Sequence, residues 1–462
     1  RAAGQPGPRD RFRPTVVAVL LVLAVVAGAL AVTTALTGPR LRSAALDASA
    51  TTRSDAQLRL TLDLPPATIA AEDVEVSPDV TVSAEVSGSV VVLTFAAPLR
   101  ADTRYTVTLA GVRSRYGSPA ADIRYRFTTD TAELYYLDRS SDPDTVYRAG
   151  LGAAGTSDAG YTAVYTAPTI DAFVHVGSIL VVAAESDGES SLAVVDIASG
   201  ASAAVELPTT GVVSRLVAAD SGTVVAAVFT SDDAEVGPLY DAALFTVDFA
   251  TSVLDEVAGL SGQVEHVDGI AAVPGSTAFA VHTDAGDTAL VDPSASASGY
   301  TPLGSFTEFD GVATDGGSVI VGDAAGTIEL SLADGSQTRL QPSPIDGVEP
   351  YGGQLLMLRD GVRIQRVAIP DPDSGLFSTE VVRDDGSVST PLYGQDADAG
   401  EVLDMSVSAN DQYLVLEIDP DADDLSRDGY LVDPRPTDVQ IVVLDAETGE
   451  SLRFAAGGAV GW

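Results

Sequence analysis

The sequence predicts an all-β ectodomain, a small β-sandwich followed by a seven-bladed β-propeller, behind one N-terminal transmembrane helix. Three observations carry that expectation. An apolar run near the start is long enough to cross a bilayer, and no later stretch keeps a sustained 3.6-residue apolar period. From Ala132 onward a four-strand pattern repeats, its marked positions 36 to 58 residues apart. At 462 residues, with 43 Gly and 25 Pro, the chain is too long for one ordinary domain and rich in turn formers.

Residues 1–14 read as a basic cytoplasmic tail carrying Arg1, Arg9, Arg11 and Arg13. Residues 15–37 read as the transmembrane helix, a signal anchor. No charge falls between Arg13 and Arg40, and the apolar centre from Val16 to Leu36 would span about 30 Å, the thickness of the hydrocarbon core. Four Arg before the run, against Arg40 and Arg42 just after it, favour an N-terminus inside and the bulk of the chain extracytoplasmic, on the cytoplasmic membrane. Ala29-Leu30-Ala31 would also serve as a signal-peptidase site, but the run continues past it to Leu36, which favours an uncleaved anchor. No initiator Met opens the sequence, which leaves room for a longer natural N-terminus.

Residues 38–56 read as a Ser/Thr/Ala/Arg-rich stalk. Residues 57–130 then show short strands of alternating pattern: Gln57–Leu62, Val80–Val86, Ser89–Phe95, Arg104–Ala110 and Ile123–Thr128. In Tyr105-Thr-Val-Thr-Leu109 and Ile123-Arg-Tyr-Arg-Phe127 every second residue is apolar, so each strand buries one face and wets the other. This is the pattern of a small β-sandwich.

Leu99-Arg-Ala-Asp-Thr103-Arg-Tyr105-Thr-Val107, then Gly117, then Arg126-Phe-Thr-Thr129, resembles the closing half of the bacterial Ig-like domain of the SbsA type. The resemblance implies an Ig-like spacer or adhesion module with no catalytic residues. The family's early aromatic-and-proline stretch appears only loosely here, as Phe95-Ala-Ala-Pro98.

Residues 131–462 read as the propeller. Ile170-Asp171 leads to the apolar strand Ser178–Ala183, then Leu192-Ala-Val-Val-Asp196, then the edge strand Ala203–Leu207. The order recurs from Val213-Ser214, Val267-Asp268, Phe309-Asp310, Ile345-Asp346 and Leu403-Asp404. Glu133–Leu137, Thr145–Arg148 and Tyr161–Tyr165 lack a first strand, and Gly457–Trp462 supplies one with nothing after it. Joined, they would close the ring and remove its exposed sheet edges. Asp404 to Glu417 also resembles the turn-and-strand motif of TolB-like and WD40-like propellers.

Composition narrows the chemistry. Cysteine is absent, so there is no disulfide, lipobox anchor, thiolate nucleophile or sulfur-based zinc site. Every basic residue is Arg; with the Ala/Val/Gly/Asp bias this looks like a GC-rich, actinobacterial-type genome. The net charge of −41 is unevenly placed: seven Arg against two acids over 1–54, seven against ten over 55–130, and eleven against 54 over 131–462. Such a surface repels nucleic acid and anionic polymers and favours cations or a basic partner.

Asp171, Asp268, Asp310, Asp346 and Asp404 each open a predicted inner strand, so they could ring one channel mouth and hold a cation or basic group. A repeated Asp before a strand also caps its turn, the more usual role. His175 and His266 are candidates at the same mouth; His282 lies on a second strand. Asp419, Asp421, Asp423, Asp424 and Asp428 crowd one loop as a candidate calcium site, although Asp424 replaces the required Gly and Tyr430 the final Glu of an EF-hand. Gly150-Leu-Gly152-Ala-Ala-Gly155 matches a dinucleotide fingerprint in letters only, since no helix pattern follows it.

No nucleophile elbow, zinc-protease motif or phosphate loop is present. The expectation is a membrane-anchored extracytoplasmic binding or scaffold protein for an unidentified envelope protein or ligand, with no catalytic residues and no cofactor required. The alternative is a propeller hydrolase or lyase using channel carboxylates, calcium-dependent or not. Adhesion through the Ig-like module is a third reading.

Overall fold

A computed structural model describes residues 16–25, 38–46, 51, 56–140, 142–151, 161–186, 189–231, 239–260, 262–295, 299–371, 375–394, 400–430 and 433–462. The chain divides into two compact units, Arg1–Asp130 and Thr131–Trp462. Residues 16–25 are helical. The remainder of the expected transmembrane helix 15–37 and all of the basic tail 1–14 lie outside the described residues. Among the described residues, no helix is long and apolar enough to cross a membrane. The Gly-rich stretch from Gly152 to Gly155 also lies outside them.

Among the described residues the first unit holds seven strands: β1 (Leu41–Leu46), β2 (Gln57–Leu62), β3 (Val74–Ser77), β4 (Val82–Ser87), β5 (Val90–Phe95), β6 (Arg104–Val112) and β7 (Ala121–Thr128). They form two sheets, ordered β1-β2-β5-β4 and β3-β6-β7. Period-two alternation sends Leu58, Leu60, Val91, Leu93, Phe95, Tyr105, Val107 and Leu109 into one core, each fully buried side chain worth about 1.5–3 kcal/mol.

The motif residues of β6 and β7 lock the turn before β6. Arg100 N–H donates to the Tyr105 hydroxyl at 3.0 Å, and Thr129 Oγ1 donates to Arg100 O at 2.6 Å while accepting from Thr103 N–H at 3.0 Å. The stretch 38–56, expected as a stalk, is corrected in part: β1 lies within it and pairs antiparallel with β2, Leu46 opposite Leu58. Its sequence, Leu-Arg-Ser-Ala-Ala-Leu, is too small and polar to announce a strand. An edge strand needs only one partner, and Leu41, Ala44 and Leu46 pack on the core.

In the second unit the described residues form seven four-stranded antiparallel sheets. Numbered in chain order, the inner strands of the first six are Thr169–Val176, Gly211–Ala218, Val267–Ala272, Glu308–Val312, Tyr351–Met357 and Glu401–Val407. The seventh sheet joins both ends of the unit: Gly458–Gly461 pairs with Glu133–Asp138, followed by Asp144–Gly150 and Thr162–Ala167. The first six inner strands lie each beside the next, and Gly458–Gly461 lies beside Thr169–Val176 on one side and Tyr413–Asp419 of the sixth sheet on the other, which makes the array propeller-like.

Apolar layers fill the spaces between successive sheets. Val181, Leu192, Phe229 and Phe245 sit between the first and second, and Ile364, Val381, Leu414 and Leu416 between the fifth and sixth. Strands buried on both faces read as apolar runs, such as Tyr413–Asp419, which is buried throughout.

Much of the unit's acidity is turn chemistry. Asp196, Asp292 and Asp445 each end a third strand or follow it directly, and their Oδ1 atoms accept backbone N–H bonds from Ser199, Ser294 and Glu447 at 2.8 to 3.0 Å. Asp334 does the same for Ser336 at 3.1 Å. Such Asp-centred turns hold the hairpin while leaving the carboxylate in water.

Candidate functional site

The repeated apolar-Asp pair marks a recurring irregularity in the second unit. In every one of its seven sheets the inner strand has one residue more than its partner near its start. The extra residue is Asp171 in the first sheet, Ser214 in the second, Asp268 in the third and Asp310 in the fourth. It lies within Gly353-Gln354 in the fifth and is Leu403 in the sixth, displacing Asp404 by one position. A β-bulge bends its strand and re-aims the extra side chain, so the shared placement gathers these groups at the inner-strand starts.

What they do there is mostly to link one sheet to the next. Asp310 Oδ2 accepts from Leu355 N–H of the fifth sheet at 3.2 Å, and Gln354 Nε2 donates to Asp404 Oδ1 of the sixth at 2.7 Å. Arg215 Nη1 donates to Asp268 O and Arg366 Nη1 to Val402 O, both at 2.6 Å. Glu417 Oε1 accepts from Val460 N–H at 3.2 Å, and Asp144 Oδ2 from Ile170 N–H at 2.7 Å. Charge-assisted bonds of this kind are the strong ones, and here they staple neighbouring strands.

Burial raises Asp144, Asp171, Asp310 and Glu417 above the ordinary carboxylate range. It pushes Asp171 up to about 6, against the opposing pull of Arg139, and Asp310 up to about 7, with Glu308 adding to it. Asp171 is 9 % exposed, and its Oδ2 finds no hydrogen-bond partner among the described residues. Asp268 Oδ1 lies 2.6 Å from His282 Nδ1; the ring's other nitrogen lies 3.2 Å from Phe306 O, and the ring stacks on Phe309.

Two candidates at this mouth lie elsewhere. Asp346 sits in the tight turn Ile345–Val348, at φ 50°, ahead of the fifth inner strand, because the unit's bulge falls at Gly353-Gln354 instead. His175 stands at the far end of the first inner strand, where it stacks on Tyr135 at 3.7 Å and its Nε2 meets Gly177 O at 2.6 Å. His266 precedes the third inner strand, at φ 57°, with Nδ1 3.5 Å from Asp241 Oδ2.

Of the acidic residues that are candidates for calcium, Asp419, Asp421, Asp423, Asp424 and Asp428, the last is held by arginine. Asp428 Oδ2 lies 3.4 Å from Arg139 Nη1, both side chains less than a tenth exposed. Arg139 also donates to the carbonyls of Asp433, Ile170 and Asp171 at 3.3, 3.0 and 2.9 Å, and its guanidinium sits 4.3 Å from the Tyr430 ring centre. Arg435 bonds Glu417 and, at 2.7 and 2.9 Å, Asp433.

Burial resists ionisation of Asp433, yet Arg435, Arg139 and Arg215 together hold its carboxyl below the ordinary range. The loop within residues 420–439 therefore straps the seam where the last strand joins the first, leaving a small crevice lined by Arg139, Asp428, Arg435 and Gly458.

Asp419 is buried at the end of its strand and accepts from Asp421 N–H at 3.0 Å, and Asp424 accepts from Ser426 N–H and Oγ at 2.9 and 2.6 Å. Asp423 is exposed. Among the described residues no group of three or more His, Asp or Glu side chains is placed to hold a metal ion. Sequence reasoning overlooked Arg139, Asp144, Glu417, Tyr430 and Arg435. The available signal was scarcity, since eleven Arg against 54 acids makes each Arg an organising charge.

A family model described as bacterial Ig-like domain matches residues 36–129, a span that includes β1. No curated protein matches the chain. Similar solved structures include an oligogalacturonate lyase in complex with manganese, at 10 % identity and TM-score 0.44, covering 86 % of this chain and 99 % of that one. An oligogalacturonate lyase from Vibrio parahaemolyticus is 13 % identical, TM-score 0.43, over 70 % and 93 % of the two chains. A dihydro-heme d1 dehydrogenase is 13 % identical, TM-score 0.42, over 72 % and 75 %. Likeness at this level bears on neither substrate nor chemistry.

Proposed function

We propose that the chain is a membrane-anchored, extracytoplasmic scaffold whose second unit is a seven-bladed β-propeller, closed by its C-terminal strand and presenting a binding face in the cell envelope. The apolar run 15–37 and the Arg bias before it support the anchor and its direction. The observation that carries the non-catalytic reading is the use of the mouth carboxylates: Asp144, Asp310, Asp404 and Glu417 bind backbone N–H groups, Gln354 or arginine of the same unit. Groups so engaged hold strands together and are not arrayed around a reacting atom.

A propeller hydrolase or lyase is the second reading, favoured by Asp171 and Asp310, whose carboxyls at about 6 and 7 fall in the range of a general acid or base. Two assays on the full chain test placement, which both readings share, and turnover, which separates them. Protease added to intact spheroplasts should digest residues 131–462, and digestion only after lysis would overturn the extracytoplasmic placement. Incubation with oligogalacturonides and neutral oligosaccharides should give no turnover. Turnover lost on Asp171→Asn or Asp310→Asn would replace the scaffold reading with the enzymatic one.

A further inference from the structure

Large apolar side chains of the second unit are exposed together on the fifth sheet. Tyr351 opens its inner strand, while Leu376 and Phe377 lie at the start of its third strand, and the three are 64, 69 and 61 % exposed. The Tyr351 and Phe377 rings meet edge to face, centres 5.9 Å apart. Register explains the meeting: Tyr351 pairs with Ala368, Ala368 with Thr379, and Pro370 with Phe377, so both rings stand on one face of the sheet over small neighbours. Exposed aromatic pairs of this kind are typical of the anchoring centre of a protein interface.

The surroundings are anionic. Asp346 and Glu349 lead into Tyr351, and Asp404 of the next inner strand is bonded to Gln354, three residues along from Tyr351. The neighbouring cations are engaged: Arg363 pairs with Asp384 at 2.8 Å and Arg366 bonds Val402 O. With eleven Arg against 54 acids in the unit, a second copy of this chain, a nucleic acid or an anionic lipid surface would be repelled.

We propose that Tyr351, Leu376 and Phe377 dock a basic segment of a partner protein, an arginine or lysine head over the rings and its aliphatic stem along Leu376. Cation–π contact and the acidic surround both favour that occupant over a neutral one. This deepens the scaffold reading and rests on it.

The test measures fluorescence anisotropy of a labelled Gly-Arg-Leu-Arg-Gly-Arg peptide, and of its citrulline counterpart, with the full chain. The arginine peptide should bind saturably, and citrulline should weaken it about tenfold. Tyr351→Ala with Phe377→Ala should weaken it about tenfold with the thermal midpoint unchanged, while Tyr351→Phe should retain binding. Three outcomes overturn the proposal: no binding by the wild type, equal binding by the double Ala variant, or saturable binding of a neutral oligosaccharide that the double variant loses. Because turnover is measured separately, failure here is distinct from failure of the scaffold reading.

Discussion

The Tyr430 hydroxyl sits between the two carboxylate oxygens of Asp144, at 2.7 and 2.8 Å, although 286 residues separate the two in the chain. Tyr430 belongs to the strap and Asp144 to the sheet that the last strand completes, so this contact and the Arg139 fork bind the two ends of the unit across their seam. Asp144 in turn receives Ile170 N–H of the first sheet. Closure therefore rests on side chains as well as on the strand pairing at Gly458.

Arg139→Ala should cost about 3–5 kcal/mol of stability, because it strands the buried Asp428 carboxylate and removes the donor to two inner-strand carbonyls. Tyr430→Phe should cost less, about 1–3 kcal/mol, since Asp144 keeps its bond from Ile170. Denaturant unfolding of both variants checks the order.

Asp310→Asn should stabilise the protein at pH 8 and change it little at pH 4. The folded-state carboxyl titrates at about 7 against an ordinary 3.8, so the folded chain binds the extra proton between those values. Stability from this group is present below about pH 4 and lost as pH rises through about 7. Asn keeps an acceptor for Leu355 N–H and has no proton to lose. Thermal midpoints of the variant and wild type across pH 4–8 should diverge progressively; a constant difference would contradict the argument.

Gly458→Val should lower the thermal midpoint by several degrees. A Cβ at this position would collide with the Arg435 guanidinium and come within 2.8 Å of Glu417 Oε2, displacing a buried ion pair. Scanning calorimetry of this variant beside Gly177→Ala, where a Cβ meets nothing within 4 Å but φ is +62°, separates collision from backbone strain.

Thr103→Val should destabilise the first unit by about 1–2 kcal/mol, since Thr103 Oγ1 donates to Ala101 O at 2.8 Å inside the turn that precedes β6. The same change should leave the unfolding of the second unit unaltered, and two resolved calorimetric transitions would show it.

Periodicity made the sandwich strands and the repeating sheets legible, because period-two alternation and apolar runs are local properties. Leu41–Leu46 escaped notice because an edge strand needs few apolar residues, and Val74–Ser77 because four residues carry too little pattern. The Asp repeat was visible, but its meaning was not: Asp171, Asp268 and Asp310 are bulge residues, and a bulge exists only relative to the partner strand. Asp346 kept the motif and lost the position, since its sheet places the extra residue seven or eight positions later. In the strap, spacing shows the carboxylates but not Arg139, which meets Asp428 from 289 positions away.

Asp144, Asp310, Asp404, Asp428 and Glu417 accept from backbone N–H groups, Tyr430, Gln354 or arginine of the second unit, an arrangement that should hold its strands without calcium. The most direct test is the thermal midpoint of the full chain with calcium and with chelator at matched ionic strength. The midpoint should be the same in both; a rise of several degrees with calcium would show a folded-state metal site instead.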